Sequence, residues 1–370
     1  MSSKKVLIIA AVVAGVILAA LPLRTPIRKM WRHANPRHNR SQGMLQNPEG
    51  IAFGHDGTIY VGNQDSSDIA VLNPDGTLRS RFSTVEGYVS GEGAAVSVSR
   101  GLYMISPSPG RLILTANHNV AELDVSGPTP KLVRIIGKKR GSGPGEMDGP
   151  EGLSRDANGD LYVTDEHNLR INVFKEDGTY LRSLPVPQDP QCVVVLGDRL
   201  YYSLNKRNYI VCSTKDGKEI LRVGHEALFP LFCYLGIPAA VAAFVILTAM
   251  KKPGRGLIAA AVLGALTVAA CGWDYNRHSQ PGESRRPDCI TPSPDGKRLY
   301  VSDRDNGRIQ VYDLEGKFLF AFGEEGSEPG QLRDPIQTAF DREGRLWVCD
   351  SFNHRLSVFT ADGKFVRAIQ

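Results

Sequence analysis

Two hydrophobic patterns divide the chain. Over most of its length, short apolar runs alternate with polar turns, the pattern of strands rather than helices. One unit reads Pro150–Glu151–Gly152–Leu153, a turn at Asn158–Gly159, then Leu161–Tyr162–Val163–Thr164–Asp165. Asn168–Leu169–Arg170–Ile171, Val173–Phe174, a turn at Asp177–Gly178 and Tyr180–Leu181–Arg182 follow. This predicts four short strands, and the Asn-Gly and Asp-Gly pairs supply the positive φ angles that tight hairpins need. The same succession starts again at Pro48, with Asp56–Gly57, Ile59–Tyr60–Val61 and Asp75–Gly76. It recurs from Pro190, Pro287 and Pro335, closing on Asp216–Gly217, Glu315–Gly316 and Asp362–Gly363.

Spacing sets the number of units. Pro48 and Pro150 stand far enough apart for two, the second degenerate, with Arg111–Leu112–Ile113–Leu114 and Val120–Ala121–Glu122–Leu123 as its clearest strands. Pro150 to Pro190 holds one, Pro190 to Pro287 one plus a long excess, and two more run to the end. Six four-stranded units predict an all-β, six-bladed β-propeller, in which each blade buries its faces on its neighbours.

The second pattern is continuous apolarity. Residues 6–23, 227–250 and 256–273 contain no Asp, Glu, Lys, Arg or His, and a spanning helix needs roughly 17–25 mainly apolar residues. The expected layout is an N-terminal transmembrane helix over 1–24, a basic linker over 25–46 and blades one to four over 47–225. A transmembrane helical hairpin over 226–284 is then inserted before blades five and six over 285–370. For the first stretch an uncleaved anchor is expected over a signal peptide, since no clear small-x-small site precedes Arg24. Both tethers enter where the chain crosses from one blade to the next, so they emerge from one side of the disc and hold that side toward the bilayer. Lys4, Lys5 and the Lys251–Lys252–Pro253–Gly254–Arg255 turn point to the cytoplasm, which places the propeller on the extracytoplasmic, periplasmic side. The basic run after residue 23 argues the opposite way.

Charge adds little to the fold. Charged residues are 22% of the chain and the net charge is +5. Arg24, Arg28, Lys29 and Arg32 follow the first apolar stretch; they suit anionic lipid headgroups, at about 1 kcal/mol per cation, or a solvated linker. No basic stripe interleaved with aromatics marks a nucleic-acid interface.

The repeats resemble the NHL family, whose pattern runs Pro-x-Gly-hydrophobic, Gly-x-hydrophobic-Tyr-Val-x-Asp, then Asn-x-Arg-hydrophobic-x-Val-Phe. Asp350–Ser351–Phe352–Asn353–His354–Arg355–Leu356 and Asp303–Arg304–Asp305–Asn306–Gly307–Arg308–Ile309 carry it most clearly, with Gly-rich approaches over 141–149 and 323–330. The resemblance implies the six-bladed fold and is far less specific for function. It also implies structural roles for His167 and His354, in packing and hydrogen bonding between strands.

Candidate chemistry gathers at the channel mouth, where the inner strands begin: Glu49, Glu151, Gln191, Asp288 and Gln337 or Ile336. Glu49, Glu151 and Asp288 are the candidate binding and metal residues, since three converging carboxylates suit Ca²⁺; solvated channel residues are the other reading. Peptidyl-hydroxyglycine lyases have a similar fold but place histidines at such positions, and this chain has none there. Gluconolactonase and strictosidine-synthase-like propellers hold a central Ca²⁺ with carboxylates and Asn. They are closer in residue type, although no Asn can be placed on the axis from sequence. Cys192, Cys212, Cys289 and Cys349 fall in blade strands and read as single buried cysteines. Cys233 and Cys271 could bridge, and the residues leading to Cys271 resemble a lipoprotein signal, a match expected to be coincidental. No C-x-x-C or H-E-x-x-H motif is present. The sequence therefore favours a membrane-anchored, non-catalytic scaffold subunit with a protein partner in a membrane complex. A Ca²⁺-dependent hydrolase or lyase is the alternative.

Overall fold

A computed structural model describes residues 44–83, 103–116, 118–137, 139–225 and 279–370. Among them no helix is long and apolar enough to cross a membrane. The expected spans, Arg24, Arg28, Lys29, Arg32, Cys233 and Cys271 lie outside the described residues.

Six four-stranded antiparallel sheets, each made of four consecutive strands, form the six blades of a propeller. Their inner strands are Pro48–Phe53, Met104–Ile105, Pro150–Arg155, Pro190–Leu196, Pro287–Pro292 and Pro335–Phe340. The outer strands, such as Leu78–Phe82 and Glu219–Val223, alternate between exposed and half-buried or are largely exposed. The middle strands, such as Leu161–Asp165 and Leu346–Asp350, are buried throughout. That gradient is what radial packing demands, since middle strands are covered on both faces by neighbouring blades. Trp347, Tyr162, Tyr201, Tyr300 and Tyr312 are the largest fully buried side chains. Blade two has the expected strands at Arg111–Ala116 and Asn119–Asp124, but its described inner strand is only two residues long.

No strand is exchanged between the first and last blades, so side chains close the ring. The edge of Trp347 in blade six meets Phe53 in blade one, ring centres 5.6 Å apart. The Gln337 side chain accepts the Ile51 N–H at 2.8 Å. His354 Nδ1 accepts the Asn47 N–H at 2.9 Å, the inter-strand role the family pattern implies for it. His167 instead stands half-exposed beside Asp148.

The family motif forms one repeated device. Asp165, Asp303 and Asp350 end buried second strands, and a single 3₁₀ turn follows each. Asp350 accepts Asn353 Nδ2 at 2.9 Å, Arg355 Nε at 2.7 Å and the backbone N–H of Arg333 at 2.6 Å. The rest of the Arg355 guanidinium donates to the carbonyls of Ser327, Glu328 and Gln331. Asp165 with Asn168 and Arg170 repeats the arrangement. The Asp-Asn-Arg residues thus tie each Gly-rich approach to its own blade. Asp303 serves Asn306, Arg308 and Gln310 in this way.

Candidate functional site

The residue after each inner-strand proline reaches the channel mouth: Glu49, Glu151, Gln191, Asp288 and Ile336. The pairing register fixes this, with Pro48, Pro150, Pro190, Pro287 and Pro335 each opposite the end of the second strand. Gln337 lies one residue further in, donating to the Met104 carbonyl at 3.4 Å while accepting from Ile51.

The three candidate carboxylates are not arranged as a cation cage. Glu49 and Asp288 are buried and Glu151 is half-buried. Arg304, from the turn after the second strand of blade five, reaches in among them. Its guanidinium donates to Asp288 Oδ2 at 2.7 Å and grips Asp334 with two bonds of 2.9 and 2.8 Å. The other oxygen of Asp288 accepts the buried Tyr103 hydroxyl at 2.6 Å. Burial pushes the Glu49 carboxyl up to about 8, against the pull of Arg304 and with the repulsion of Asp288. Burial also raises Glu151 well above the usual carboxylate range, helped by Glu166. Burial alone would favour a neutral Arg304; Asp288 and Asp334 keep it charged.

This donor set does not fit Ca²⁺. A hard cation needs several ionised or carbonyl oxygens free to converge on it. Here Asp288 is committed to an arginine and a tyrosine, Glu49 holds its proton to about pH 8, and a fixed positive charge sits among them. Among the described residues no group of three or more His, Cys, Asp or Glu could hold a metal ion. Arg304, Asp334 and Tyr103 were not visible as site residues in the sequence. Registering the repeats supplies a signal for the first, since Arg304 occupies the loop position of Glu166, Asn205 and Ser351, immediately after the second strand.

On the same face, Leu169 is 44% exposed and has φ +53°. The equivalent turn positions hold Asn208, Gly307 and His354, also at positive φ. Leucine at this site is unfavourable twice over, in backbone conformation and in exposure to water.

The opposite end of the channel is open. A cavity of about 970 Å³ is lined by inner-strand residues of all six blades, among them Ile51, Met104, Leu153, Val193, Ile290 and Thr338. Cys192 and Cys289 also line it. Both are free and buried, as expected, and they sit on adjacent inner strands. Cys192 Sγ accepts the Ile290 N–H at 3.2 Å, and Cys289 Sγ lies 3.6 Å from Thr291 Oγ1. The Cys192 thiol donates to the Ile290 carbonyl at 3.7 Å, and the nearness of the two thiols raises Cys192 and lowers Cys289.

The NHL repeat family matches residues 147–174, and no curated protein sequence matches the chain. Among solved structures, a streptogramin B lyase superposes with TM-score 0.52 at 17% identity, over 89% of this chain and 84% of that one. Virginiamycin B lyase from Staphylococcus aureus, in an inactive form with quinupristin, gives 0.51 at 15%, over 89% and 85%. Hydrazine synthase from Kuenenia stuttgartiensis gives 0.50 at 13%, over 89% and 80%. At such identities these likenesses establish the propeller fold alone.

Proposed function

We propose that this NHL-repeat, six-bladed β-propeller is a membrane-anchored, non-catalytic interaction module that binds a protein partner with the loops of its mouth face. The three apolar stretches of the sequence supply the anchors, and their flanking charge favours an extracytoplasmic propeller. Leu169 carries the reading. A soluble surface gains nothing from a part-exposed leucine in a left-handed turn, whereas a partner that covers the 44% still exposed recovers that share of its transfer free energy, about 1 kcal/mol. The buried Arg304 network supports the same view, because a mouth braced by an internal cation presents a surface and no open channel.

The test compares wild-type protein and Leu169→Asn purified from membranes in mild detergent. Asn tolerates the left-handed region better than leucine, so the variant should fold with equal or higher stability. A subunit that co-purifies in fixed ratio with the wild type should be depleted at least tenfold. Equal recovery from both, or no stoichiometric companion to the wild type, overturns the proposal.

A Ca²⁺-dependent hydrolase or lyase of the gluconolactonase type is the second reading. One observation favours it: a carboxyl that keeps its proton to about pH 8, as Glu49 does, is suited to general-acid chemistry. The position of Arg304 counts against it. Bound calcium in the purified protein, lost together with activity in Glu49→Gln, would establish this reading in place of the first.

A further inference from the structure

We infer that Cys192 and Cys289 form a two-thiol site at the inner end of the open channel cavity, where they exchange with a small disulfide. Three observations converge. The thiols belong to neighbouring inner strands; Cys192 Sγ meets the backbone of Ile290, the residue after Cys289, accepting its N–H at 3.2 Å and donating to its carbonyl at 3.7 Å. Both residues line the 970 Å³ cavity, a volume within the range of small-molecule sites, roughly 300–1,000 Å³. Cys289 Sγ lies 3.6 Å from the Thr291 hydroxyl, which itself donates to the Thr338 carbonyl at 2.9 Å, and the neighbouring Cys192 thiol holds the Cys289 thiol below its ordinary range. The other described cysteines lack this setting. All four are buried, but Cys212 and Cys349 are wholly enclosed and do not line the cavity, whereas Cys192 and Cys289 keep 3% exposure at its wall.

The exchange needs an oxidant, which the incoming disulfide R–S–S–R supplies. The Cys289 thiolate attacks one of its sulfurs, forming a mixed disulfide and releasing R–S⁻. Cys192 gives up its proton to solvent or to the released thiolate and then attacks Cys289 Sγ. The Cys192–Cys289 bond forms as the second R–S⁻ leaves. Two protein thiols are oxidised and one small disulfide is reduced to two thiols. The new bond joins blades four and five, the pair between which the chain departs at His225 and returns at Ser279.

Oxidised glutathione is the probe, applied to the full chain in detergent at neutral pH, with alkylation of remaining thiols and peptide mapping. Wild type should yield a Cys192–Cys289 cross-linked peptide that retains no glutathione, and a raised melting temperature that a reductant reverses. Cys192→Ala should trap glutathione on Cys289. Cys289→Ala should form no cross-link. Free thiols at both positions in oxidised wild type would overturn the inference without any variant having to fold. Glutathione accumulating equally on Cys212 or Cys349, or on Cys192 in preference to Cys289, would also overturn it.

Discussion

Burial holds a proton on the Glu49 carboxyl up to about pH 8, whereas an unperturbed glutamate releases it near 4.5. The folded state binds that proton more tightly than the unfolded chain. The stability linked to it is therefore full below pH 4.5 and is lost as pH rises toward 8. Glu49→Gln keeps the shape and removes the titration. It should match wild type near pH 4 and exceed it near pH 9 by on the order of a few kcal/mol, read from thermal melts across that range. An equal gain at both ends would exclude titration as the cause. Arg304 should behave in the opposite sense. Arg304→Met leaves Asp288 and Asp334 buried without their cation, a loss of about 3–5 kcal/mol at neutral pH. Denaturant unfolding should show this cost shrinking when Asp334→Asn is added. Glu49, Glu151 and Asp288 were legible as mouth residues because the repeat sets the position after each proline. Their state was not, because it depends on an arginine that reads in sequence as part of a solvated Asp-Arg-Asp-Asn-Gly turn. Asp334, which it clamps, belongs to the next blade.

At the scale of the blade, strand and turn were written locally and ring closure was not. Leu161–Asp165 and Leu346–Asp350 are short apolar runs that end in the motif's Asp, so their place in a blade could be read directly. The inner strand of blade two could not, since two described residues give no period. Closure depends on pairs such as Phe53 with Trp347, whose separation in sequence hides them. Trp347 also donates Nε1–H to Asp341 at 2.7 Å and lies beneath the Arg367 guanidinium at 5.4 Å. Trp347→Ala should therefore cost about 3–5 kcal/mol by opening the seam between blades six and one. A lowered denaturant midpoint with an unchanged m-value would show that the ring still unfolds as one unit. A second transition at lower denaturant would mean that blade six detaches alone.

Across the whole molecule, the four strands of every blade come from one stretch of chain, so a break between blades interrupts no sheet. That explains how a ring can carry a long excess between blades four and five. The ends of the excess are held together on the propeller itself. His225 Nδ1 lies 2.7 Å from Glu283 Oε1, and the Arg286 N–H donates to Asn208 Oδ1 at 2.9 Å. Gly224, at φ +105°, crosses so close to the Asn208 carbonyl that no side chain would fit. With entry and exit already adjacent, loop-closure entropy for any connecting segment changes only slowly with its length, by about 0.6 kcal/mol per doubling. Replacing residues 227–278 with a short Gly/Ser linker should thus leave a cooperative propeller whose melting temperature lies within a few degrees of wild type. In membrane fractionation the shortened chain should still sediment with membranes if residues 1–24 anchor it, and become soluble if that segment is cleaved. A propeller that no longer folds without the segment would mean that the excess is part of the structure. One that folds makes it an attachment, with the interaction face built by the blades alone.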